Sequence, residues 1–208
     1  MFDASWLLFT VASLVLIATP GQDMILVMSR SIAQGPTAGI VTAAGVSTGL
    51  IGHTVLAALG LGAVLRASEL LFVALELVGA AYLVILGIGL LRSAPHQLVI
   101  RADAPRPLAR LFADGAASNL SNPKIAIFYF AFLPQFVQPS ASHPTATLFA
   151  LGLAFAALTF VVKGPVGWSA GMLSGWLRAN PRTLVWLHRF SGAVLIGLGL
   201  RLAFERRQ

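Results

Sequence analysis

Two charged residues within apolar stretches are the residues of this sequence with the clearest potential for chemistry. Asp23 follows the dipeptide Pro20-Gly21 in one stretch, and Lys124 follows Pro123 in another. A charge at the centre of a lipid bilayer costs at least about 2.5 kcal/mol, so such residues are rarely accidental. An acid and an amine together are complementary to a zwitterion. We predict that Asp23 binds an ammonium group or accepts a proton, and that Lys124 binds a carboxylate.

A helix-capping residue precedes a proline at both places, in Thr19-Pro20 and in Asn122-Pro123. A polar cap followed by proline is typical of a helix start. The N-terminus of a helix presents free N–H donors and the positive end of the helix dipole, which suits a carboxylate. The alternatives are proline kinks that only shape packing and an Asp23–Lys124 ion pair that fixes the fold. The candidate binding residues are Pro20, Gly21, Gln22, Asp23, Asn119, Asn122, Pro123 and Lys124.

Further polar residues in apolar surroundings are candidates for proton transfer or for support. Asp114 and Ser118 belong to a polar stripe that either lines the interior or bonds neighbouring helices. Glu76 either carries a proton or lies at the level of the lipid headgroups. Gln135 is either a gate or an interfacial cap, and Lys163 either neutralises an internal carboxylate or reaches the interface. We predict proton coupling at Asp23, Asp114 and Glu76, and gating or support at Gln135 and Lys163.

Catalysis, metal binding and cofactor binding are not predicted. The segment Gly45-Val46-Ser47-Thr48-Gly49 matches the G-x-S-x-G motif of hydrolases, but that motif needs a strand–turn–helix context. Here it lies inside an uninterrupted apolar run. Asp23 and Asp114 lack the glycine-flanked signature of intramembrane aspartyl proteases. The sequence has no cysteine, and its four histidines are scattered. We therefore predict a protein that is not an enzyme and has no metal site and no cofactor.

The composition places these residues in a membrane protein. Of the 208 residues, 57% are hydrophobic and 10% are charged, whereas about 25% are charged in a soluble domain. Too few charges exist to cover a surface that faces water, so most of the surface must face lipid. The net charge of +7 comes from arginines that lie mainly between apolar runs. No basic stripe alternates with aromatic residues, so the partner is the lipid bilayer and not nucleic acid.

Six apolar segments are long enough to cross a bilayer, which takes about 20 residues of helix. Because lipid cannot satisfy backbone N–H and C=O groups, we predict an all-α, six-helix integral membrane bundle with broken first and fourth helices. The N-terminus has no basic region and no cleavage site, so the first segment is retained and is not a signal peptide. The segments run about 5–33, 38–65, 69–91, 112–137, 146–177 and 184–204.

The two halves of the chain, residues 1–92 and 112–208, resemble one another around an arginine-rich loop at 93–111. Each half has a broken first segment, glycines at four-residue spacing in its second, and a Gly-x-Gly motif in its third. Three spans per half place the halves in opposite orientations, so we predict two inverted three-helix repeats, a common transporter architecture. The arginines favour a cytoplasmic loop and periplasmic termini, although Arg206-Arg207 favours the opposite orientation. The glycines can pack within one subunit or across a homodimer.

Short motifs in both halves identify a family resemblance. They are Ala18-Thr19-Pro20-Gly21-Gln22-Asp23, Gly79-Ala80-Ala81-Tyr82-Leu83, Phe112-Ala113-Asp114-Gly115, Asn119-Leu120-Ser121-Asn122-Pro123-Lys124 and Phe132-Leu133-Pro134-Gln135-Phe136. Through them the chain resembles the lysine exporter (LysE/RhtB) family over essentially its whole length. The resemblance implies efflux of amino acids or close derivatives across the bacterial inner membrane, driven by the proton gradient. Family members commonly have a second proline where this chain has Gln22, which adds a side chain for substrate contact.

We therefore expect a multi-pass secondary transporter that exports an amino acid or a derivative by proton antiport. A passive channel is one alternative, but it needs a continuous polar lining, and few of the segments offer polar residues. A membrane scaffold is another, and it would tolerate Asp23→Ala and Lys124→Ala. Small neutral amino acids, homoserine lactones and basic amino acids are all candidate substrates. Lys124 and Lys163 offset the acidic residues and so favour neutral substrates.

Overall fold

The computed structural model describes residues 4–67, 69–92, 105–137 and 143–205. Within these ranges the chain folds into helices and forms no strand, which confirms the all-α prediction. The helices are α1 (Ala4–Ala18), α2 (Gln22–Gln34), α3 (Pro36–Ala67), α4 (Glu69–Leu91), α5 (Leu108–Leu120), α6 (Pro123–Phe132), a 3₁₀ helix (Leu133–Phe136), α7 (Pro144–Trp168), α8 (Ala170–Ala179) and α9 (Pro181–Glu205).

Each apolar segment of the sequence corresponds to one helix or to two or three consecutive helices. Among the described helices, three are long and apolar enough to cross a membrane alone, over residues 36–63, 144–168 and 182–201. Helices α1 and α2 together qualify as a fourth span, bent by 54° at their junction. Most of the arginine-rich loop lies outside the described residues, and α5 already begins at Leu108, inside the range assigned to that loop.

The chain is interrupted between α1 and α2 and again between α5 and α6. Helix α1 ends at Ala18, and Pro20, which has no N–H group, cannot continue its hydrogen-bond ladder. Helix α5 ends at Leu120, and the Asn122 side chain accepts a hydrogen bond from the Lys124 N–H at 3.0 Å. Pro123 then occupies the first turn of α6, where its missing donor is harmless. Local sequence therefore accounts for both interruptions.

Helix α3 lies at the centre of the bundle and packs closely against α7 and α5. Glycines make the approach possible, because a Cβ at Gly45 would overlap the carbonyl oxygen of Phe112 in α5. Gly49 lies against Ala116, four residues further along both helices, so α3 and α5 are parallel. Against α7 the direction is opposite.

The contacts between α3 and α7 establish their antiparallel direction. Gly39, near the start of α3, faces Gly167 near the end of α7. Gly62, near the other end of α3, faces Thr145 at the start of α7. Helices α4 and α9 are antiparallel as well, because Gly87 faces Gly192 while Gly199 faces Ala80. Each of these pairs joins a helix of the first half to a helix of the second half.

An aromatic cluster fills the bundle on one side of the interruptions. Phe9 of α1 contacts Phe136 of the 3₁₀ helix with ring centroids 5.2 Å apart. Phe132 and Phe128 of α6 stack at 4.8 Å, and Phe155 of α7 lies 5.8 Å from Phe128. The five rings are buried or half-buried. This cluster, Phe9/Phe128/Phe132/Phe136/Phe155, closes the bundle between α1, α6 and α7.

Candidate functional site

A cavity of about 380 Å³ lies between the two interrupted helices. The two interruptions touch each other, since the Asn122 side-chain amide donates a hydrogen bond to Gln22 Oε1 at 3.4 Å. A binding site shared by Asp23 and Lys124, as the sequence predicts, requires the two interruptions to meet, and in the structure they do. The polar lining residues of the cavity are Thr19, Gln22, Asp23, Asn122, Lys124, Thr159 and Lys163.

Asp23 lies in the first turn of α2 and is buried, with 6% of its surface exposed. Its Oδ2 atom accepts hydrogen bonds from Asn119 Nδ2 at 2.8 Å and from Lys163 Nζ at 3.2 Å. Lys163 is buried as well and comes from α7. A buried carboxylate needs a cation and hydrogen-bond donors to remain charged, and these two residues supply both.

Lys163, and not Lys124, is therefore the described cation that pairs with Asp23. Of the two alternatives that the sequence left open for Lys163, the structure has the one in which it neutralises an internal carboxylate. Lys124 lines the same cavity, but its side chain is exposed. The cavity thus holds one lysine that is bound to the acid and one that faces open space.

Two oxygen atoms of this network are buried and accept no hydrogen bond from any residue that the structure describes. They are Asp23 Oδ1 and Asn119 Oδ1. The prediction that Thr19 caps the start of α2 is wrong: the N-cap of α2 is Gly21, no described side chain caps its first turn, and the Thr19 hydroxyl bonds back to the Val15 carbonyl oxygen. Buried polar atoms are nearly always satisfied in folded proteins. The two oxygen acceptors and the N–H donors at the start of α2, which have no described side-chain partner, therefore lie beside the cavity, as a binding site for a polar molecule requires.

His53 of α3 extends this network, although the sequence did not single it out as a site residue. Its Nε2 atom lies 3.1 Å from the Asn119 carbonyl oxygen, and its ring contacts the Tyr129 ring at 5.9 Å between centroids. The side chain is 2% exposed. The available signal was an ionisable residue within an apolar span, the same signal that identified Asp23.

Asp114 lies apart from the cavity lining, in a cluster with three arginines. Its carboxylate is 2.7 Å from Arg106, 3.2 Å from Arg110 and 3.8 Å from Arg30 of α2. The Gln34 side chain exchanges two hydrogen bonds with the Arg106 backbone, at 2.8 and 2.9 Å. This Asp114–arginine cluster ties the end of α2 to the start of α5. The polar stripe predicted on the fourth segment thus divides between two places.

The chain matches the LysE type translocator family over residues 14–206. It belongs to this family. It is 31% identical to the homoserine/homoserine lactone efflux protein of Salmonella typhimurium over 201 residues, which cover 97% of each chain. It is 26% identical to the leucine efflux protein of Klebsiella pneumoniae over 96% of this chain and 94% of the relative. An uncharacterized membrane protein of Pseudomonas aeruginosa is 30% identical over 90% of this chain and 89% of the relative. No solved structure matches the chain significantly.

The family membership confirms the resemblance to LysE/RhtB that the motifs carried. This LysE-type translocator is a multi-pass membrane transporter and not an enzyme. Its helices present a largely apolar surface, with large side chains such as Leu70, Val78 and Ile85 mostly exposed. Such a surface is stable in lipid and not in water.

The other predicted site residues of the translocator differ in their relation to the cavity. Asn119 reaches the site through its bond to Asp23, and Pro123 supports it as the start of α6. Gln135 bonds within its own helical turn, to the Ala131 carbonyl oxygen at 2.9 Å, as a local cap does. Glu76 belongs to α4, but its side chain lies outside the described part of the structure.

Proposed function

We propose that this translocator exports an amino acid or an amino-acid derivative from the cytoplasm across the cell inner membrane by proton antiport. The observation that carries the proposal is the cavity between two interrupted helices, which joins a buried acid, an exposed amine and a free helix start. The relatives named as homoserine lactone and leucine efflux proteins support the substrate class.

The two ends of an amino acid have separate partners in this cavity. The carboxylate binds Lys124 and the backbone N–H groups at the start of α2, where the helix dipole favours an anion. The ammonium group binds Asp23 Oδ1, the buried acceptor that lacks a partner among the described residues. The described lining contains one acid and two lysines. A basic side chain would add a further positive charge, so the substrate has a neutral side chain.

Proton coupling takes place at Asp23. When Asp23 is charged, its second oxygen can hold the substrate ammonium while Lys163 and Asn119 hold the first. A proton that binds Asp23 from the periplasmic side cancels this attraction and releases the substrate outward. Loss of the proton to the cytoplasm restores the acid for the next substrate. Because both charges of the pair are buried, a change of one strongly affects the other.

The helix directions support two inverted three-helix repeats and alternating access. Helices α3 and α7 are antiparallel, and so are α4 and α9, as equivalent helices of inverted repeats must be. With periplasmic termini, the aromatic cluster lies toward the periplasm and the Asp114–arginine cluster toward the cytoplasm. These clusters are then the outer and inner closures, and the cavity lies between them.

Reconstitution into liposomes tests the proposal. Vesicles with a labelled neutral amino acid at equal concentration inside and outside receive an imposed pH gradient, and net accumulation of the label on one side is measured. We expect the wild type to accumulate substrate. Asp23→Asn, which resembles the protonated acid, should bind substrate weakly and lose both the accumulation and the response to the pH gradient. Asp114→Asn tests the second acid that the sequence named for proton coupling. Because Asp114 lies outside the cavity lining and beside three arginines, we expect this variant to keep its response to the pH gradient.

The alternatives give different results in the same assay. A passive channel would equilibrate the substrate and never concentrate it, and a scaffold would move none. If Asp23→Asn remains fully driven by the pH gradient, Asp23 is not the proton carrier. If Asp114→Asn loses the coupling instead, the proton site is at Asp114 and the assignment made above is wrong.

A further inference from the structure

We infer that the substrate carries an apolar side chain of the size of leucine or phenylalanine, which packs against the apolar part of the cavity lining. The inference rests on the proposed function and narrows its substrate class. It depends on how the polar groups of the cavity are distributed and on which of them are already bonded within the protein.

The charged and amide groups of the cavity lie beside the two interruptions, except for Lys163 of α7. Those beside the interruptions are Gln22, Asp23, Asn122 and Lys124. The rest of the lining is aliphatic or aromatic and belongs to six helices, α1, α3, α4, α6, α7 and α9. Its buried members include Ile17, Leu50, Phe128, Phe155 and Leu195. A zwitterionic head held at Asp23 and Lys124 therefore places its side chain against carbon atoms.

The two threonines of the lining do not make this apolar part polar. The Thr159 hydroxyl donates to the Phe155 carbonyl oxygen at 2.8 Å within α7. The Thr19 hydroxyl bonds to the Val15 carbonyl oxygen at 2.9 Å and also contacts the Ser191 hydroxyl. Since each hydroxyl proton already has an acceptor, neither threonine is free to donate a hydrogen bond to a hydroxyl on the substrate side chain.

The size of the cavity sets the upper limit of the substrate. A volume of about 380 Å³ is at the lower end of the range of roughly 300–1,000 Å³ that small-molecule sites occupy. This volume suits a single amino acid with its side chain and excludes a long peptide. Each buried methylene group changes affinity about fourfold. Leucine should therefore be preferred over alanine or homoserine by about tenfold or more.

The experiment is a competition among amino acids in reconstituted vesicles. Vesicles are loaded with an equimolar mixture of leucine, phenylalanine, alanine, homoserine and lysine, and the exchanged species are quantified by mass spectrometry. We expect leucine and phenylalanine to leave at least about ten times faster than homoserine. If no amino acid moves, the proposed function fails. If homoserine or alanine moves and leucine does not, only the present inference is overturned. Transport of lysine in place of leucine would also contradict the neutral side chain that is part of the proposed function.

Substitutions in the apolar part of the lining test the placement of the side chain. Ile17→Thr keeps the branch at Cβ but removes carbon atoms that would contact the substrate side chain, and it should reduce the ratio of leucine to homoserine transport by up to about tenfold. Ile85→Thr is the matched control, because Ile85 lies in α4 outside the cavity lining and is 67% exposed. Its ratio should equal that of the wild type.

A second variant covers the case in which Ile17→Thr does not fold. Phe128→Ala removes a ring from the cavity lining and so enlarges the cavity, which should raise phenylalanine transport relative to leucine transport. An unchanged ratio of phenylalanine to leucine transport in this variant places the substrate side chain elsewhere and overturns the inference.

Discussion

Replacing Lys163 with methionine tests the buried ion pair on which the site depends. Methionine keeps the unbranched shape of the side chain and removes its charge. Asp23 is then left buried beside Asn119 with its cation gone, since the Lys163 and Asp23 side chains are only 10% and 7% exposed. Removing one partner of a buried ion pair costs about 3–5 kcal/mol. For a chain of this length, that corresponds to a decrease in melting temperature of roughly 6–20 °C.

Asp23→Asn in the same chain removes the opposite charge and should restore much of the lost stability. The double variant Asp23→Asn/Lys163→Met has neither buried charge, so we expect it to melt above the Lys163→Met single variant. The two single effects should fail to add by at least about 1 kcal/mol, as they do for residues in direct contact. Melting of the purified protein in nanodiscs, followed by intrinsic fluorescence, measures all three variants.

Lys124→Met is the matched control, because it removes the other lysine of the same cavity. Lys124 is exposed, so its loss should change the free energy of unfolding by no more than about 0.5 kcal/mol. The reasoning is refuted if Lys163→Met melts like the wild type, or if the Asp23→Asn and Lys163→Met effects simply add.

Other features of the fold give three further predictions. Gly45→Ala should strongly destabilise the protein, because its Cβ would overlap the backbone of α5. Gly89→Ala should not, because no described atom lies within 4 Å of the new Cβ. The melting temperatures of the two variants and the wild type test this difference. Asn122→Ala should lower the free energy of unfolding by about 1 kcal/mol through loss of the α6 cap, whereas Asn122→Asp should keep the cap. Denaturation of the wild type and both variants under the same conditions measures the difference. Asp114→Asn should lower the melting temperature by roughly 4–8 °C. Arg110→Gln should have little effect, because the Arg110 side chain is itself 68% exposed; equal melting of both variants would contradict the role of the cluster.

The sequence by itself determined the helices and their interruptions. Proline and its capping residues act within a few neighbouring positions, so Pro20 and Asn122-Pro123 were sufficient to place the breaks. The length of the apolar segments then limited the architecture to membrane helices, because lipid supplies no hydrogen bonds to the backbone. Both of these causes are local, and both can be read from the order of residues alone.

Only the tertiary structure decided which polar groups meet. Asp23 pairs with Lys163, 140 residues further along the chain, and not with Lys124. Asp114 joins the arginines, and His53 joins Asn119. The sequence identified most of these ionisable residues but not their partners. A partner depends on the rotation and depth of each helix in the bundle, and glycine contacts such as Gly45 against Phe112 set these over long sequence distances.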